Sequence, residues 1–250
     1  RVSFGKCKPD IRIALAKRDP NGLLTNGIVR VATSKTSFSY SQNDAKHSQT
    51  GGSDAWPSDK YLNLWVVPQI TFGASTVLGY ATLPGTSTAD EDGVVIAYRY
   101  FGLNSPSTTF NLGRTATHEI GHWLNLYHTF EEGCSGTSST TCLSSGDKVC
   151  DTPPTASGNF QCPSVQNSCT ETPIDHNDMT MNFLDYANDA CMYMFSQGQA
   201  TRMQAALNGP RKAILTSDAL TPPDGILSLD AGIEQIHGIS EGVCANSINP

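Results

Sequence analysis

The sequence predicts an α+β fold in two lobes with a cleft between them. Three observations lead to it. Strand-like segments fill the first hundred residues; one helical segment carries His118-Glu119-Ile120-Gly121-His122; and a loop-rich stretch with six of the eight cysteines follows, closed by a second helix. At 250 residues and 38% hydrophobic composition, the chain is long enough to bury a substantial core.

The elements follow in order. Ile11-Arg12-Ile13-Ala14-Leu15-Ala16 alternates in the manner of a strand, and Asp19-Pro20-Asn21-Gly22 turns the chain. Gly27-Ile28-Val29-Arg30-Val31 reads as a second strand, and residues 33–54, polar and poor in core formers, as a long loop or covering segment. Tyr61-Leu62-Asn63-Leu64-Trp65-Val66-Val67 is a strong strand ended by Pro68. Residues 77–81 and 93–98 are two more strands, and a helix is expected over about 112–124. Residues 129–178 show little periodicity, so disulfides or an ion must order them. Ser196-Gln197-Gly198-Gln199 is a capping box opening a helix through Met203 and Leu207, which stops at Asn208-Gly209-Pro210. Residues 211–250 carry no metal-binding spacing, and no internal repeat stands out.

Net charge is −7 and no Lys/Arg run offers a stripe for phosphates, which argues against nucleic acid. No apolar run approaches membrane-spanning length, which argues against a membrane protein. Arg1-Val2-Ser3-Phe4 shows no signal peptide and reads as the start of a processed chain. An even cysteine count in loops rich in Gly, Ser, Thr and Pro points to disulfides and an oxidising, secreted setting. The lack of a Cys-x-x-Cys pair weighs against a cysteine-bound zinc.

The chemistry sits in His118 to His128. Residues four apart share one face of a helix, so His118 and His122 present two imidazoles together. Glu119 follows the first of them and can reach a metal-bound water without being a ligand. That arrangement reads as two zinc ligands plus a general base. His128 lies six residues past His122, too far along a continuing helix, so the chain must turn, and Asn125 tolerates the left-handed conformation such a turn needs. Three neutral imidazoles leave a tetrahedral zinc one open position for water, whose pKa the metal lowers. The expected product is a hydrolysed bond, with Glu119 taking the proton of the attacking water and handing it to the leaving amine.

The long motif resembles that of the metzincin metalloproteases, with Asn125 where they carry Gly. More widely, the chain is similar to the pappalysin family, including its archaeal and fungal secreted members. The similarity runs through Ala14-Leu15-Ala16-Lys17-Arg18-Asp19-Pro20, Leu78-Gly79-Tyr80-Ala81, Asp92-Gly93-Val94-Val95-Ile96, the zinc helix, Gly146-Asp147-Lys148-Val149-Cys150-Asp151-Thr152-Pro153, and Asn182-Phe183-Leu184-Asp185-Tyr186 through Cys191-Met192. It implies a metzincin fold: a mixed twisted sheet with the zinc helix, and a loop-rich, disulfide-stapled second lobe.

The resemblance also assigns roles. Tyr186 becomes a donor to the developing oxyanion, and Leu184 occupies the family's methionine floor beneath the metal, a swap of similar volume. Asp189 falls near the pocket just after the scissile bond, favouring Arg or Lys there. The strand Val94-Val95-Ile96-Ala97-Tyr98 is the cleft edge on which substrate pairs as an added strand. Asp147, Val149, Asp151 and Thr152, an oxygen-rich run, become a calcium site. The resemblance favours Cys134–Cys169 and Cys162–Cys191; elimination then leaves Cys142–Cys150 and Cys7–Cys244. Met181, Met192 and Met194 read as core, and His47 and His176 as surface. Residues 1–210 form the catalytic domain, with lobes at about 1–125 and 126–210, and 211–250 an extension tied back by Cys7–Cys244. The family opens with a strand and a long helix ahead of the segment resembling residues 11–20; this chain starts just short of that segment, so those elements are expected to have been removed, to be supplied otherwise or to be lacking. One sheet face is therefore expected to be uncovered, the protein being a monomer or carrying a partner on that face.

The expectation is a secreted zinc endopeptidase acting on proteins or peptides. Its rivals are a zinc hydrolase of non-peptide amides and a zinc-stabilised binding module without activity. Glu119 weighs against the last, since a purely structural metal needs no base.

Overall fold

The run Leu64-Trp65-Val66-Val67, β-branched and aromatic, forms a strand and stops before Pro68, as a residue without an amide N–H dictates. The computed structural model describes residues 11–223. In it, β1 spans Phe38–Ser39, β2 Leu64–Val67, β3 Ile70–Phe72, β4 Ser75–Val77, β5 Gly79–Ala81 and β6 Val94–Ala97. They make two small mixed sheets, ordered β2–β6–β5 and β1–β3–β4. In the first, β6 runs parallel to β2 and antiparallel to β5; in the second, β1 is parallel to β3, which turns back into β4.

β6 is the centre of the fold. Val94, Val95 and Ile96 are fully buried, the pattern of a strand covered on both faces. Val94 and Ile96 pack with Trp123, Leu124 and Leu126 at the end of the zinc helix, and with Phe183, Leu184 and Met203. Val95 and Ala97 face the other way, into Phe38, Trp65, Val67, Ile70 and Tyr80.

Three sequence expectations are corrected here. Ile11–Ala16 and Gly27–Val31 are not strands. Alternation makes a strand only where a neighbouring ladder exists to accept it. Instead, the N–H groups of Lys17 and Arg18 donate to the Ala219 carbonyl, Thr25 N–H donates to Lys17, and one bridge joins Arg18 to Leu24. Ile13, Leu15, Ile28, Val29 and Val31 are left exposed. Residues 33–54 are more than a covering loop, because they contribute β1 and the buried Phe38, Asp44, Ala45 and Lys46. The third correction concerns β6, which has β2 on one edge and β5 on the other and has no edge left for a substrate.

Two helices match their signals. The zinc helix, α1, spans Arg114–Trp123, and α2 spans Gln197–Asn208. Ser196 and Gln199 form the reciprocal capping box. Gln199 also exchanges two side-chain hydrogen bonds with the fully buried Asn182, whose Oδ1 takes the Leu184 N–H at 2.9 Å. This network fixes the turn through Leu184 to the start of α2. Between the helices, Cys134–Cys169, Cys142–Cys150 and Cys162–Cys191 tie the aperiodic stretch together. Cys7–Cys244 lies outside the described residues. Met192 and Met194 are core, as expected. Past residue 210 the chain stays on the same body: Arg211 is buried, and Ala219 takes the hydrogen bonds from Lys17 and Arg18. Among the described residues, no helix is long and apolar enough to cross a membrane.

Candidate active site

α1 places His118 and His122 one turn apart, as their spacing requires. The helix then stops, and Asn125 adopts the left-handed conformation at φ 73°. Its N–H donates to the His122 carbonyl at 2.8 Å, and the Leu126 N–H reaches back to the Gly121 carbonyl at 2.9 Å. These are the two bonds of a Schellman ending, with Asn where Gly is usual. The reversal carries His128 back to the helix.

The three Nε2 atoms form a triangle with sides of 3.0, 3.1 and 3.2 Å. Four donors at about 2.0–2.1 Å from a tetrahedral zinc stand roughly 3.3–3.4 Å apart, close to this triangle. The remaining nitrogens set the tautomers. Nδ1 of His118 donates to the Phe183 carbonyl at 2.7 Å, and Nδ1 of His122 to the Leu126 carbonyl at 2.8 Å, which leaves both Nε2 lone pairs facing inward. Burial, with the neighbouring histidines adding to it, holds His118 well below the usual imidazole range. Burial does the same at His122, and it takes His128 to about 3 with His122 adding to it. Three neutral imidazoles converging at this spacing suit a borderline-soft cation such as zinc. Among the described residues, this is the one His/Cys/Asp/Glu group at metal-ligand spacing. His47 and His176 lie apart from it, beside Glu91 and Glu171.

Glu119 is buried beside this triangle, and burial raises its carboxyl to about 8 in the metal-free protein. A divalent cation nearby opposes that shift. β5 packs directly against this glutamate: a Cβ on Gly79 would stand 2.9 Å from Glu119 Oε1. β5 pairs with β6 on one side only and has no strand on the other among the described residues. The edge expected on Val94–Tyr98 is therefore on Gly79–Ala81.

Tyr186 stands against the histidines, its ring 5.0 Å from His128 and 5.9 Å from His118. Phe130 stacks on His128 at 4.6 Å and meets Tyr186 at 4.8 Å, and Phe160 extends the cluster outward. Gly158 makes this possible, since a Cβ there would be 2.8 Å from the Tyr186 ring. Leu184 is fully buried, with Cδ2 3.0 Å from where a Gly121 Cβ would be, so it underlies α1 between the two ligands.

Asp189 is almost fully buried, and its Oδ2 accepts the N–H groups of Leu112 at 2.7 Å and Arg114 at 3.3 Å. Much of this carboxylate thus caps the start of α1, where a negative charge is favoured. The oxygen-rich run is divided. Thr152 donates to Asp147 at 2.6 Å and to the Val149 carbonyl at 2.8 Å. Asp151 turns away, accepting from Ser196 Oγ at 2.6 Å and Gly198 N–H at 2.8 Å to cap α2. The sequence reading missed Gly79 as the neighbour of Glu119, though it lies in a segment that already stood out. It also missed Phe130, Arg202 and Arg211, which have no local motif.

The chain is 40% identical over 154 residues to an extracellular metalloprotease of Neurospora crassa, covering 60% of this chain and 49% of that protein. It is 42% identical over 149 residues to an extracellular metalloprotease of Pyricularia oryzae, covering 58% and 48%. The chain thus spans about half the length of the fungal relatives it matches. Among solved structures, mature mirolysin of Tannerella forsythia in complex with a cleaved peptide superposes with TM-score 0.75 at 39% identity, over 88% of this chain and 80% of that one. Mirolysin with a bound compound gives 0.76 at 37% identity, over 88% and 81%. A family model described as pregnancy-associated plasma protein-A matches residues 45–208, two thirds of the sequence. The chain belongs to this family, the M43 peptidases or pappalysins, metalloproteases of the metzincin fold.

Proposed function

We propose that the protein is an extracellular zinc-dependent endopeptidase. The observation that carries this reading is the triangle of converging Nε2 atoms, with Glu119 next to His118 in the helix and, among the described residues, a free strand edge at β5. His118, His122 and His128 would hold the metal. When bound, zinc supplies an acidified water and polarises the scissile carbonyl. Glu119 takes the proton of the attacking water and delivers it to the leaving amine. Tyr186, beside His118 and His128, donates its phenol to the carbonyl oxygen as charge builds there. β5 aligns the substrate as an added strand, which favours a peptide over another amide. The extracellular setting is supported by the relatives' names and by three disulfides.

An Arg or Lys preference after the scissile bond rests on Asp189. Its Oδ2 already serves α1 and its Oδ1 is buried, so the pocket would have to open for a substrate cation to reach Oδ1. A calcium ion at Asp147, Val149 and Thr152 is a separate proposal, in which Asp151 would have to leave Ser196 to join. An unchanged melting temperature with added calcium rules it out.

The main test is cleavage of casein and of an arginine-containing peptide, with and without chelator, by wild type and Glu119→Gln. Chelator-sensitive cutting that vanishes in the variant is expected. A folded, zinc-loaded protein that cuts neither substrate, or a variant as active as wild type, overturns the reading.

A further inference from the structure

The end of α1 must satisfy its last carbonyls, and the chain reversal there delivers the third ligand. Two of these carbonyls are served within the turn, those of Gly121 and His122. Trp123 and Asn125 present their carbonyls outward, and each meets an arginine from the far end of the domain. Arg211 Nε donates to the Trp123 carbonyl at 3.0 Å, and Arg202 Nε donates to the Asn125 carbonyl at 2.6 Å.

Both arginines are held in turn. Arg211 lies on the Trp123 ring at 4.0 Å, pairs with Asp92, and donates to the Thr82 carbonyl. Asp92 also takes the Thr82 hydroxyl at 2.7 Å and the Trp123 indole N–H at 3.4 Å, so this guanidinium joins the helix end to the strand leading out of β5. Arg202, on α2, covers the Tyr127 ring at 5.2 Å, opposite a helix end where positive charge is favoured. The segment between the two contacts leads directly to the metal centre. Leu126, next after Asn125, accepts the His122 Nδ1–H at its carbonyl, and His128 follows two residues later.

We propose that Arg202 and Arg211 are positioning residues that clasp the reversal between His122 and His128 and so set the spacing of the three metal-binding nitrogens. The proposal rests on the zinc reading above. Neither arginine touches the metal or the substrate; each acts through a backbone carbonyl.

The test uses the full chain with three measurements: zinc affinity by competition with a chelating dye, the visible absorption of the cobalt(II)-substituted protein, and the melting temperature of the metal-free protein. Arg202→Met keeps the cover on Tyr127 but removes the donor, and should weaken zinc binding by about tenfold to a hundredfold, as loss of outer support for a metal ligand does. Its cobalt spectrum should lose intensity as the nitrogen set loosens. Arg202→Lys, which retains one donor, should recover part of both. Arg211→Lys should show the same loss in milder form, and spares the fold the unpaired Asp92 that Arg211→Met would leave. Wild-type affinity and an unchanged cobalt spectrum in Arg202→Met would overturn the positioning role. So would a lowered metal-free melting temperature with zinc binding intact, or equal losses in the Met and Lys variants. If the wild type itself takes up no zinc, the metal reading falls and takes this one with it; if the wild type binds zinc and Arg202→Met binds it equally well, the clasp alone is refuted.

Discussion

Gly79→Ala is the sharpest single test of how the cleft is assembled. The added Cβ would stand 2.9 Å from Glu119 Oε1, 3.0 Å from Glu119 Cγ and 3.0 Å from the Val95 carbonyl. Each is about half an ångström inside an ordinary contact of roughly 3.5 Å. The Val95 carbonyl belongs to β6, whose neighbours on both edges leave it little room to move. Glu119 must therefore yield, by several tenths of an ångström. Overpacking of this kind costs about 1–3 kcal/mol, which in a domain of this size lowers the melting temperature by roughly 2–10 °C. The larger effect falls on catalysis. A positioned acid–base group contributes about 10²–10⁴ in rate, and a displaced one should forfeit a tenfold to hundredfold share of it. Steady-state kinetics on a quenched fluorescent peptide, with zinc content measured on the same sample, gives the answer. The expected result is a lower kcat with full zinc and little change in KM. A folded, zinc-loaded variant with wild-type kcat refutes the argument. A raised KM at constant kcat refutes it too, because that would place the obstruction on substrate pairing and not on Glu119.

Two further outcomes follow from the structure. Asn125 occupies the left-handed region, so Asn125→Gly should leave stability unchanged or slightly raised, while Asn125→Val should cost about 1–2 kcal/mol or more in urea unfolding and weaken zinc binding through His128. Lys46 is fully buried, donates to the Glu91 carbonyl and lies over the Trp65 and Tyr80 rings; burial lowers its pKa from 10.5 to about 8, against the pull of Glu91 and Asp92. Below pH 8 the folded and unfolded chains both hold this proton and the burial penalty is in full force. Above it the folded state releases the proton while the unfolded chain keeps it until about 10.5, so stability should rise by about 2 kcal/mol between pH 8 and 9.5. Urea unfolding across that interval should show the rise in wild type and none in Lys46→Met; a flat wild-type profile would refute it.

What was legible in the sequence was local. His118, His122 and Glu119 declare themselves because a helix turns four-residue spacing into a shared face, and the turn at Asn125 is announced by a residue that tolerates it. The capping box at Ser196 is equally self-contained. Sheet order is not. Nothing within Val94–Ala97 says that β2 and β5 occupy its two edges, so the free edge lies on β5, one strand away from the Val94–Tyr98 edge that the resemblance implies. Ile11–Ala16 has the right alternation but no ladder to join. Asp151 looked like a partner for Asp147 by proximity in sequence; its contact is Ser196, 45 residues on. Arg202 and Arg211 act on carbonyls 77 and 88 residues away, where no spacing rule reaches.

The edge at β5 has a consequence for what can be cut. The strand is three residues long, about 10 Å of ladder at roughly 3.3 Å per residue. A chain can pair with it only if its own amides and carbonyls are free. A helix spends those groups on itself, and an interior strand spends them on its neighbours. On the proposed pairing, a target is read first for local unfolding and only then for side chains. Loops, termini and denatured proteins are then the expected substrates of the proposed peptidase, and an intact globular fold the expected non-substrate.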